Sequence, residues 1–331
     1  MSRILITGGS GFIGSKVVEK LLRKGHEIVI LSREKREITS CKKNISFRIG
    51  DITDIKSLKN SAKGADIIIH LAGKMEQWNT EPSELYNINF IGSKNIFSEA
   101  LRSGVKHFVH CSTPGVCGIG KNYPVTEDEE YSAWGAYEDS KIKAEEFLIK
   151  TSKTSDLTLT IVRPDFVYGP GDEQKLPLFK AIINRLAFIP GDGEALFRPT
   201  YIEDAAEGIV LASLKELNVS GRTFLIYNIA GPEVVSVKTL FNTIAKNLGK
   251  NIFNIPIWPQ TAFYLLAYTF EKISKIFNLS PLLTRRRLNF LTKSHYTSIG
   301  KAKKELGYFP KIGIEEGIAK TVSWYREKEY L

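Results

Sequence analysis

This sequence has few cysteines, and it shows neither the pattern of a cleavable leader nor a long apolar run. The three cysteines, Cys41, Cys111 and Cys117, are too few for a disulfide framework, and the spacing of the last two fits no usual zinc motif. We therefore predict reduced structural thiols and no metal site. Met1 leads almost directly into the apolar run that begins at Ile4, without the pattern of a cleaved leader, so we predict a cytoplasmic protein.

The composition is that of a folded globular protein. Of the 331 residues, 43% are hydrophobic and 25% are charged, which excludes a disordered, collagenous or coiled-coil chain. The apolar stretch 261–270 is shorter than the ~20 residues that a membrane-spanning helix needs. The net charge of +10 favours anionic partners, but no nucleic-acid-binding motif accompanies it, so we predict no nucleic-acid partner.

Short β-branched runs alternate with amphipathic helical patterns along the first half of the chain. The predicted strands are 4–7, 28–31, 45–49, 67–71, 107–111 and 158–162. This alternation is typical of an α/β fold with a Rossmann-type, doubly wound parallel sheet. Because the alternation weakens beyond Tyr168, we assign 1–168 to a Rossmann domain and 169–331 to a smaller, mostly helical C-terminal lobe. We expect the two to interleave, with a later strand near 223–228 returning to the sheet.

A glycine-rich loop follows the first predicted strand and opens the next helix. In it, Gly8 permits a tight turn, Gly11 lets the backbone approach a pyrophosphate, and Gly14 allows close packing of helix on strand. The strand, the helix and the next strand are spaced as a ~30-residue βαβ unit requires. The loop therefore predicts a dinucleotide site rather than a plain turn.

The end of the second predicted strand distinguishes between dinucleotides. NAD sites usually place an acidic residue there, which accepts hydrogen bonds from the adenosine ribose. This chain has Ser32 and Arg33, whose hydroxyl and forked guanidinium suit a 2′-phosphate. We predict NADP(H) as the preferred cofactor. The alternative is that Arg33, Lys35 and Arg36 form a solvated basic turn and that NAD(H) binds.

A phenol and an ammonium group, Tyr137 and Lys141, lie four residues apart on one face of a predicted helix. A free phenol titrates near 10, so acid–base work near neutrality requires stabilising its anion by about 3 units, roughly 4 kcal/mol. A neighbouring lysine cation supplies such a field. Upstream, the strand 107–111 ends in Ser112 and Thr113, at the sheet edge where ligands of open α/β folds bind.

Together these motifs make the chain resemble the extended short-chain dehydrogenases/reductases, also called the NAD-dependent epimerase/dehydratase family. The resemblance covers nearly the whole chain. Its matching segments are 7–14, 50–52, 71–73, 87–89 with Gly92, 112–113 with Val116 and Gly118, 137–141, and 163–164 with 168–170.

The resemblance implies roles for individual residues. It implies that Thr113 orients the substrate oxygen, that Tyr137 exchanges its proton, and that Lys141 also bonds the nicotinamide ribose. General acid–base catalysis by a positioned side chain typically raises the reaction rate by ~10² to 10⁴. The implied cofactor contacts are Gly8, Gly11, Phe12, Ile13, Gly14, Ser32, Arg33, Asp51, Ile52, Leu71, Ala72, Gly73, Asn89, Tyr137, Lys141 and Pro164. The predicted substrate contacts are Lys74, Asp165 and Arg198.

Departures from the family pattern narrow the function. Members that dehydrate nucleotide sugars carry an Asp-Glu pair after the active-site threonine, whereas Pro114 and Gly115 follow Thr113 here, which argues against a 4,6-dehydratase. Many sugar-nucleotide epimerases carry Asn where this chain has Asp165, and a carboxylate would repel a substrate pyrophosphate. Arg198 falls where epimerases hold that pyrophosphate and favours the opposite conclusion.

The segment 259–278 has apolar residues at helical spacing over a face broader than a normal stripe. With 284–287, 294–296, 301–302, 305–308 and Trp324 after it, this order resembles the 3β-hydroxysteroid dehydrogenase branch of the family. Four interpretations stay open for the residues 261–277: core of the lobe, a dimer face, contact with the substrate, or contact with a lipid or membrane surface. For Arg285, Arg286 and Arg287, solvation is favoured over binding of lipid head groups.

We therefore predict an NAD(P)-dependent oxidoreductase that transfers a hydride between nicotinamide and a secondary alcohol or ketone on an apolar, steroid- or isoprenoid-like small molecule. The alternative enzyme is an NDP-sugar epimerase or reductase with tightly bound NAD. A non-enzymatic dinucleotide sensor is disfavoured because Thr113, Tyr137 and Lys141 are all present.

The resemblance also implies a homodimer through the helices 85–101 and 137–150. His70 and His110, at predicted strand ends, are interpreted as structural.

Overall fold

The structure is a computed structural model that describes residues 1–34, 44–119, 123–215, 224–255, 260–277, 281 and 283–331. Lys35, Arg36, Cys41 and Pro259, which entered the predictions above, lie outside these residues.

Seven parallel strands form the central sheet. In chain order, the strands of the described residues are β1 (Arg3–Thr7), β2 (Glu27–Ser32), β3 (Ile45–Ile49), β4 (Ile67–His70), β5 (His107–Cys111), β6 (Thr158–Pro164), β7 (Val167–Tyr168), β8 (Phe188–Pro190), β9 (Leu196–Phe197), β10 (Thr200–Tyr201), β11 (Phe224–Ile229), β12 (Val235–Ser236) and β13 (Phe253–Ile255). The sheet order is β3-β2-β1-β4-β5-β6-β11. β11 pairs in parallel with β6, so the strand expected near 223–228 does return to the sheet.

Helices cover both faces of this sheet. They are α1 (Phe12–Arg23), α2 (Pro82–Leu85), α3 (Gly92–Arg102), α4 (Ala136–Ser152), α5 (Leu176–Ile183), α6 (Ile202–Leu214), α7 (Val237–Leu248), α8 (Gln260–Phe277), α9 (Arg285–Thr292), α10 (Gly300–Leu306) and α11 (Ile314–Glu327). A π-helical turn, Tyr86–Ile91, joins α2 to α3, and a 3₁₀ turn, Pro114–Cys117, follows β5.

The sheet is buried on both faces, which explains its continuous β-branched strands. On one face, α1 and α6 contribute Val17, Leu21 and Ile209 to the core. On the other face, α3 and α4 contribute Phe97 and Leu148. Because α6 follows residue 168 yet packs on the sheet, the second half of the chain builds part of the first core. The predicted Rossmann fold is confirmed.

The remaining helices build a second core beside the carboxyl edge of the sheet. This core joins α5, α7 and α11, whereas α8 and α9 share a small cluster around Phe263, Ala267 and Leu288. Within the described ranges, no helix combines the length and the apolar composition needed to cross a membrane. The order of the sheet reverses between β1 and β4, and ligands of open α/β sheets bind at the carboxyl ends of strands at such a point.

Candidate active site

The glycine loop lies where the chain leaves β1 for α1. Gly8 has a φ of +70°, and a Cβ atom there would lie 2.7 Å from the backbone nitrogen of Ala72. A Cβ atom at Gly14 would lie 2.0 Å from the carbonyl oxygen of Gly8, so the loop requires glycine at both positions. Gly11 donates its N–H to that same oxygen over 3.0 Å and precedes the first turn of α1. The bare backbone beside a helix N-terminus fits a pyrophosphate.

A chain of buried hydrogen bonds fixes the floor of the site. Thr7 Oγ1 accepts from the N–H of Ala72 over 3.2 Å and lies 2.6 Å from His70 Nδ1. His70 Nε2 lies 2.9 Å from Ser93 Oγ, which donates to the carbonyl of Asn89. Burial lowers the pKa of His70 to about 3, so its ring is neutral and structural at neutral pH.

His110 is the second histidine at this level of the sheet. Its ring stacks on His70 at a centroid distance of 5.5 Å and is fully buried. Burial holds its pKa well below the ordinary value, with Lys141 and His70 adding to the effect. In the part of the chain that the structure describes, neither ring nitrogen has a hydrogen-bond partner.

Asn89, in the π-helical turn, ties the loop after β4 to the catalytic helix. Its Oδ1 accepts the N–H of Lys74 over 2.8 Å, and its Nδ2 donates to the Lys74 carbonyl over 2.9 Å and to Ser140 Oγ over 3.0 Å. The Ser140 hydroxyl donates to the Tyr137 carbonyl over 2.6 Å. The amide protons of Asn89 therefore serve the protein itself, and its predicted contact with a cofactor stays a prediction.

Lys141 is buried at the centre of the site. Its Nζ donates to the carbonyl oxygen of Cys111 at the end of β5 over 2.6 Å. A Cβ atom at Gly73 would lie 3.8 Å from that ammonium, so the lysine faces the loop after β4. Burial lowers the pKa of Lys141. The lysine of α4 and the loops of the dinucleotide half therefore border one site.

The phenol of Tyr137 is protonated at neutral pH. Burial raises its pKa first, Cys111 and Glu138 raise it further, and Arg286 lowers it. Burial also raises the pKa of the Cys111 thiol, so the thiol and the phenol are both neutral at pH 7. The expected stabilisation of the phenolate by Lys141 is wrong for this structure, because burial has the larger effect and the pKa of the phenol is raised rather than lowered.

Thr113 begins the 3₁₀ turn after β5. Its Oγ1 accepts the N–H of Gly115 over 3.2 Å, which leaves the hydroxyl proton available to another acceptor. The Ser112 hydroxyl beside it is buried and has no partner in the described ranges. Thr113, Tyr137 and Lys141 thus all lie beside the carboxyl end of β5, as expected.

The end of β2 carries Ser32 and Arg33. The Ser32 hydroxyl donates to the carbonyl of Glu34, and the Arg33 side chain is exposed. No carboxylate occupies either position, in agreement with the argument for a 2′-phosphate.

The loop after β3 forms the neighbouring part of the same edge. Asp51 Oδ1 accepts the N–H and the hydroxyl of Thr53, each over 2.8 Å, so one carboxylate oxygen is occupied. Ile52 packs against Gly92: a Cβ atom at Gly92 would lie 2.7 Å from the Cδ1 atom of Ile52. The other assigned cofactor residues are Phe12 and Ile13 at the start of α1, Leu71 after β4, and Pro164 at the end of β6.

The three predicted substrate residues are engaged by the protein. Lys74 pairs with Glu84. The Arg198 guanidinium donates to the carbonyls of Gly231, Pro232 and Thr297. Their substrate contacts stay predictions.

Asp165 is 5% exposed and accepts the hydroxyl of Thr297 over 3.0 Å. Burial raises its pKa to about 7. Because roughly half of these carboxyls are then neutral at pH 7, repulsion of a pyrophosphate by Asp165 is weaker than the sequence implied.

Two arginines form contacts that the sequence did not reveal. Arg163, 1% exposed, pairs with the buried Glu145 of α4 through Nη2–Oε2 at 2.6 Å and Nε–Oε1 at 3.1 Å, and Tyr131 donates to the same carboxylate. Arg286 was expected to be solvated, and this is wrong. Its guanidinium makes two bonds to Glu138, the residue after Tyr137.

Within the described residues, no cluster of three or more His, Cys, Asp or Glu side chains could hold a metal ion. Cys111 and Cys117 are free thiols.

Comparisons with known proteins agree on one family. Residues 4–230 match the model of the NAD dependent epimerase/dehydratase family. The chain is 31% identical to a decarboxylating sterol-4-alpha-carboxylate 3-dehydrogenase of Candida albicans, over 99% of this chain and 98% of the relative. It is 28% identical to a 2-alkyl-3-oxoalkanoate reductase of Stenotrophomonas maltophilia, over 96% of this chain and 97% of the relative.

A solved structure of similar fold is a dTDP-glucose 4,6-dehydratase of Streptomyces venezuelae with NAD bound. The TM-score is 0.78 at 25% identity, over 99% of this chain and 98% of that one. The predicted class, an oxidoreductase that uses a nicotinamide cofactor, is confirmed. With a glycine loop on β1, a tyrosine and a lysine on α4 and a family match over most of its length, the chain belongs to the NAD-dependent epimerase/dehydratase family.

Proposed function

We propose that the protein transfers a hydride between NADP(H) and a secondary alcohol or ketone on a large apolar molecule. The observation that carries the proposal is the position of Lys141, which lies between the carbonyl of Cys111 and the Gly73 loop. The catalytic helix and the dinucleotide edge of the sheet therefore face the same space. A protein that only binds dinucleotides has no need for a half-buried tyrosine and a buried lysine there.

The residues divide the work by position. The glycine loop and the N-terminus of α1 would hold the pyrophosphate, and Asp51 and Ile52 would contact the adenine. When bound, the nicotinamide supplies or accepts the hydride. Thr113 keeps a hydroxyl proton with which to orient the substrate oxygen. Tyr137, which is protonated at neutral pH, would donate its proton to a ketone oxygen.

The names of the two relatives suggest a narrower substrate class. One acts on carbon 3 of a sterol 4-carboxylate and the other on a 2-alkyl-3-oxoalkanoate. Both names place the reacting oxygen on the carbon beta to a carboxylate, on a mostly apolar body. We propose a β-hydroxy or β-oxo acid of this kind as the substrate.

Cofactor choice is tested by calorimetry with NADPH, NADP, NADH and NAD. We expect exchangeable binding with preference for the 2′-phosphorylated forms, because Arg33 provides a permanent charge at the end of β2. An Arg33→Ser variant should lose affinity for NADPH and keep affinity for NADH, and Glu34→Gln serves as the matched exposed control.

Nucleotide extracted from the purified protein tests the alternative. Near-stoichiometric NAD that does not exchange would contradict the NADP proposal and favour an NDP-sugar epimerase, in which the cofactor is regenerated within each cycle. The fold similarity to a nucleotide-sugar enzyme keeps this alternative relevant.

One face of α8 is proposed to contact a lipid surface. Phe263 and Ala267 pack inward, whereas Leu265, Ile276 and Phe277 are 68%, 77% and 67% exposed. Exposed apolar residues in such number on one helix mark an interaction site. Lys272 of the same helix is exposed and favours anionic lipid.

Sedimentation with vesicles of phosphatidylcholine and phosphatidylserine tests this contact. We expect the protein to bind them, and an Ile276→Asp, Phe277→Asp variant to lose most of that binding because two apolar side chains no longer enter the interface. Phe309→Asp, at a residue 66% exposed between α10 and α11, is the control. Equal binding by all three proteins would contradict the assignment. The homodimer through α3 and α4 stays a prediction from family resemblance.

A further inference from the structure

Arg286 joins the α8–α9 unit to the catalytic helix. Its Nη2 and Nη1 lie 2.6 and 3.0 Å from the two carboxylate oxygens of Glu138, and Nη1 lies 2.9 Å from Glu76. The guanidinium also covers the ring of Trp134 at 4.2 Å from its centroid. A Cβ atom at Gly135 would lie 2.6 Å from Nη1, so the arginine fills the space in front of the first turn of α4.

The helix that carries Arg286 is itself anchored on α8. Glu271 of α8 accepts the N–H and the Nε–H of Arg285 over 2.8 and 2.9 Å. The Thr284 hydroxyl caps the same helix end by accepting the N–H of Arg287 over 3.0 Å. Arg286 therefore projects from a fixed turn, and a planar fork on a carboxylate resists rotation.

We propose that Arg286 is a positioning residue for Tyr137: it fixes Glu138 at the start of α4 and connects the α8–α9 unit to the catalytic phenol. This inference deepens the proposed function and rests on it. The arginine need not touch the substrate, because it acts through the residue adjacent to Tyr137.

The Arg286–Glu138 ion pair has a measurable effect on the pKa of Tyr137. Glu138 on α4 raises the pKa of the phenol, and Arg286 on α9 lowers it. The other facing group is Cys111 on β5, whose carbonyl accepts the Lys141 ammonium, and Glu76 pairs with Arg286 from the loop after β4. The two members of one ion pair thus have opposite effects on the phenol.

The pH profile of NADP-linked oxidation of 3-hydroxydecanoate, used as the probe, tests the proposal. Oxidation requires the deprotonated phenol, so its rate rises with pH through the pKa of Tyr137. In Arg286→Gln the rising limb should move to higher pH by about one unit, and in Glu138→Gln to lower pH. Below the limb, one unit corresponds to about a tenfold change in kcat. The pH profile of the double variant, Glu138→Gln with Arg286→Gln, should lie near that of the wild type. The profile of Arg286→Lys, which keeps the positive charge, should shift less than that of Arg286→Gln.

A purely structural salt bridge would give a different pattern. Both single variants would then lose stability and activity together, without opposite shifts, and that result would overturn the proposal. Lys293→Gln, which removes an exposed charge at the other end of α9, is the control and should leave the profile in place. If the wild-type protein oxidises no probe, the proposed function is what fails. The inference is then judged by the ¹³Cζ resonance of Tyr137, identified by its loss in Tyr137→Phe. At one alkaline pH, the ionised fraction of Tyr137 should be largest in Glu138→Gln, intermediate in wild type and smallest in Arg286→Gln. Identical chemical shifts of this resonance in the three proteins would contradict the inference.

Discussion

Replacing Tyr137 by phenylalanine is expected to lower kcat by ~10² to 10⁴ while leaving cofactor affinity nearly unchanged. The change removes one oxygen, and with it the proton that the site donates to or accepts from the substrate. The ring of Phe fills the same space, so the buried packing of α4 is preserved. Stopped-flow or steady-state turnover of a β-oxo acid with NADPH measures the loss, and calorimetry measures the affinity.

Tyr86→Phe is the matched control for this prediction. The phenol of Tyr86 also bonds to α4, through Asp139, but it does not border Lys141. We expect its turnover to stay within a few fold of wild type. If Tyr137→Phe retained full turnover, the phenol would have no part in the chemistry and the proposed mechanism would be wrong.

Replacing Asp165 by asparagine is expected to stabilise the protein above pH 7 and to have little effect near pH 4. Burial raises the pKa of Asp165 from 3.8 to about 7 in the folded protein. Between these values the folded state holds a proton that the unfolded state has released, so stability falls as pH rises through this window. A difference of about 3 units corresponds to roughly 4 kcal/mol as an upper bound. Asn keeps an oxygen that accepts the Thr297 hydroxyl and carries no charge.

Urea unfolding of both proteins from pH 4 to 8 measures this effect. The difference in unfolding free energy between Asp165→Asn and wild type should grow across the window and then level off. Asp128→Asn, which alters an exposed carboxylate, should give a small difference without that rise. A difference that does not depend on pH would show that Asp165 is ionised in the folded protein at all these values.

The dinucleotide half was predictable because its signals are local in the sequence. The glycine loop, the β-branched strand of Ile4 to Thr7 and the spacing of Tyr137 and Lys141 each report on neighbouring residues, and the structure places them as expected. The ends of the predicted strands differ from those in the structure by at most two residues. For example, β6 runs two residues beyond the predicted end, to Pro164.

The supporting contacts were not predictable, because they join residues far apart in the chain. The Arg286–Glu138 pair spans 148 residues, and nothing in a basic run distinguishes a paired arginine from a solvated one. Arg163 was known only as part of the segment 163–164 that carries the family resemblance, and Glu145 as a residue of a predicted helix, yet the two form a buried ion pair. The raised pKa of Tyr137 likewise depends on burial, which the four-residue spacing to Lys141 does not reveal.

The most direct test of the central claim is transfer of deuterium from NADPH labelled at C4 of the nicotinamide to a 2-alkyl-3-oxoalkanoate. The proposed function predicts one deuterium on the carbinol carbon of the product, with one NADP released for each product formed. Turnover of a nucleotide sugar without added cofactor, with the label retained on a bound nucleotide and no reduction of the ketone, would contradict it.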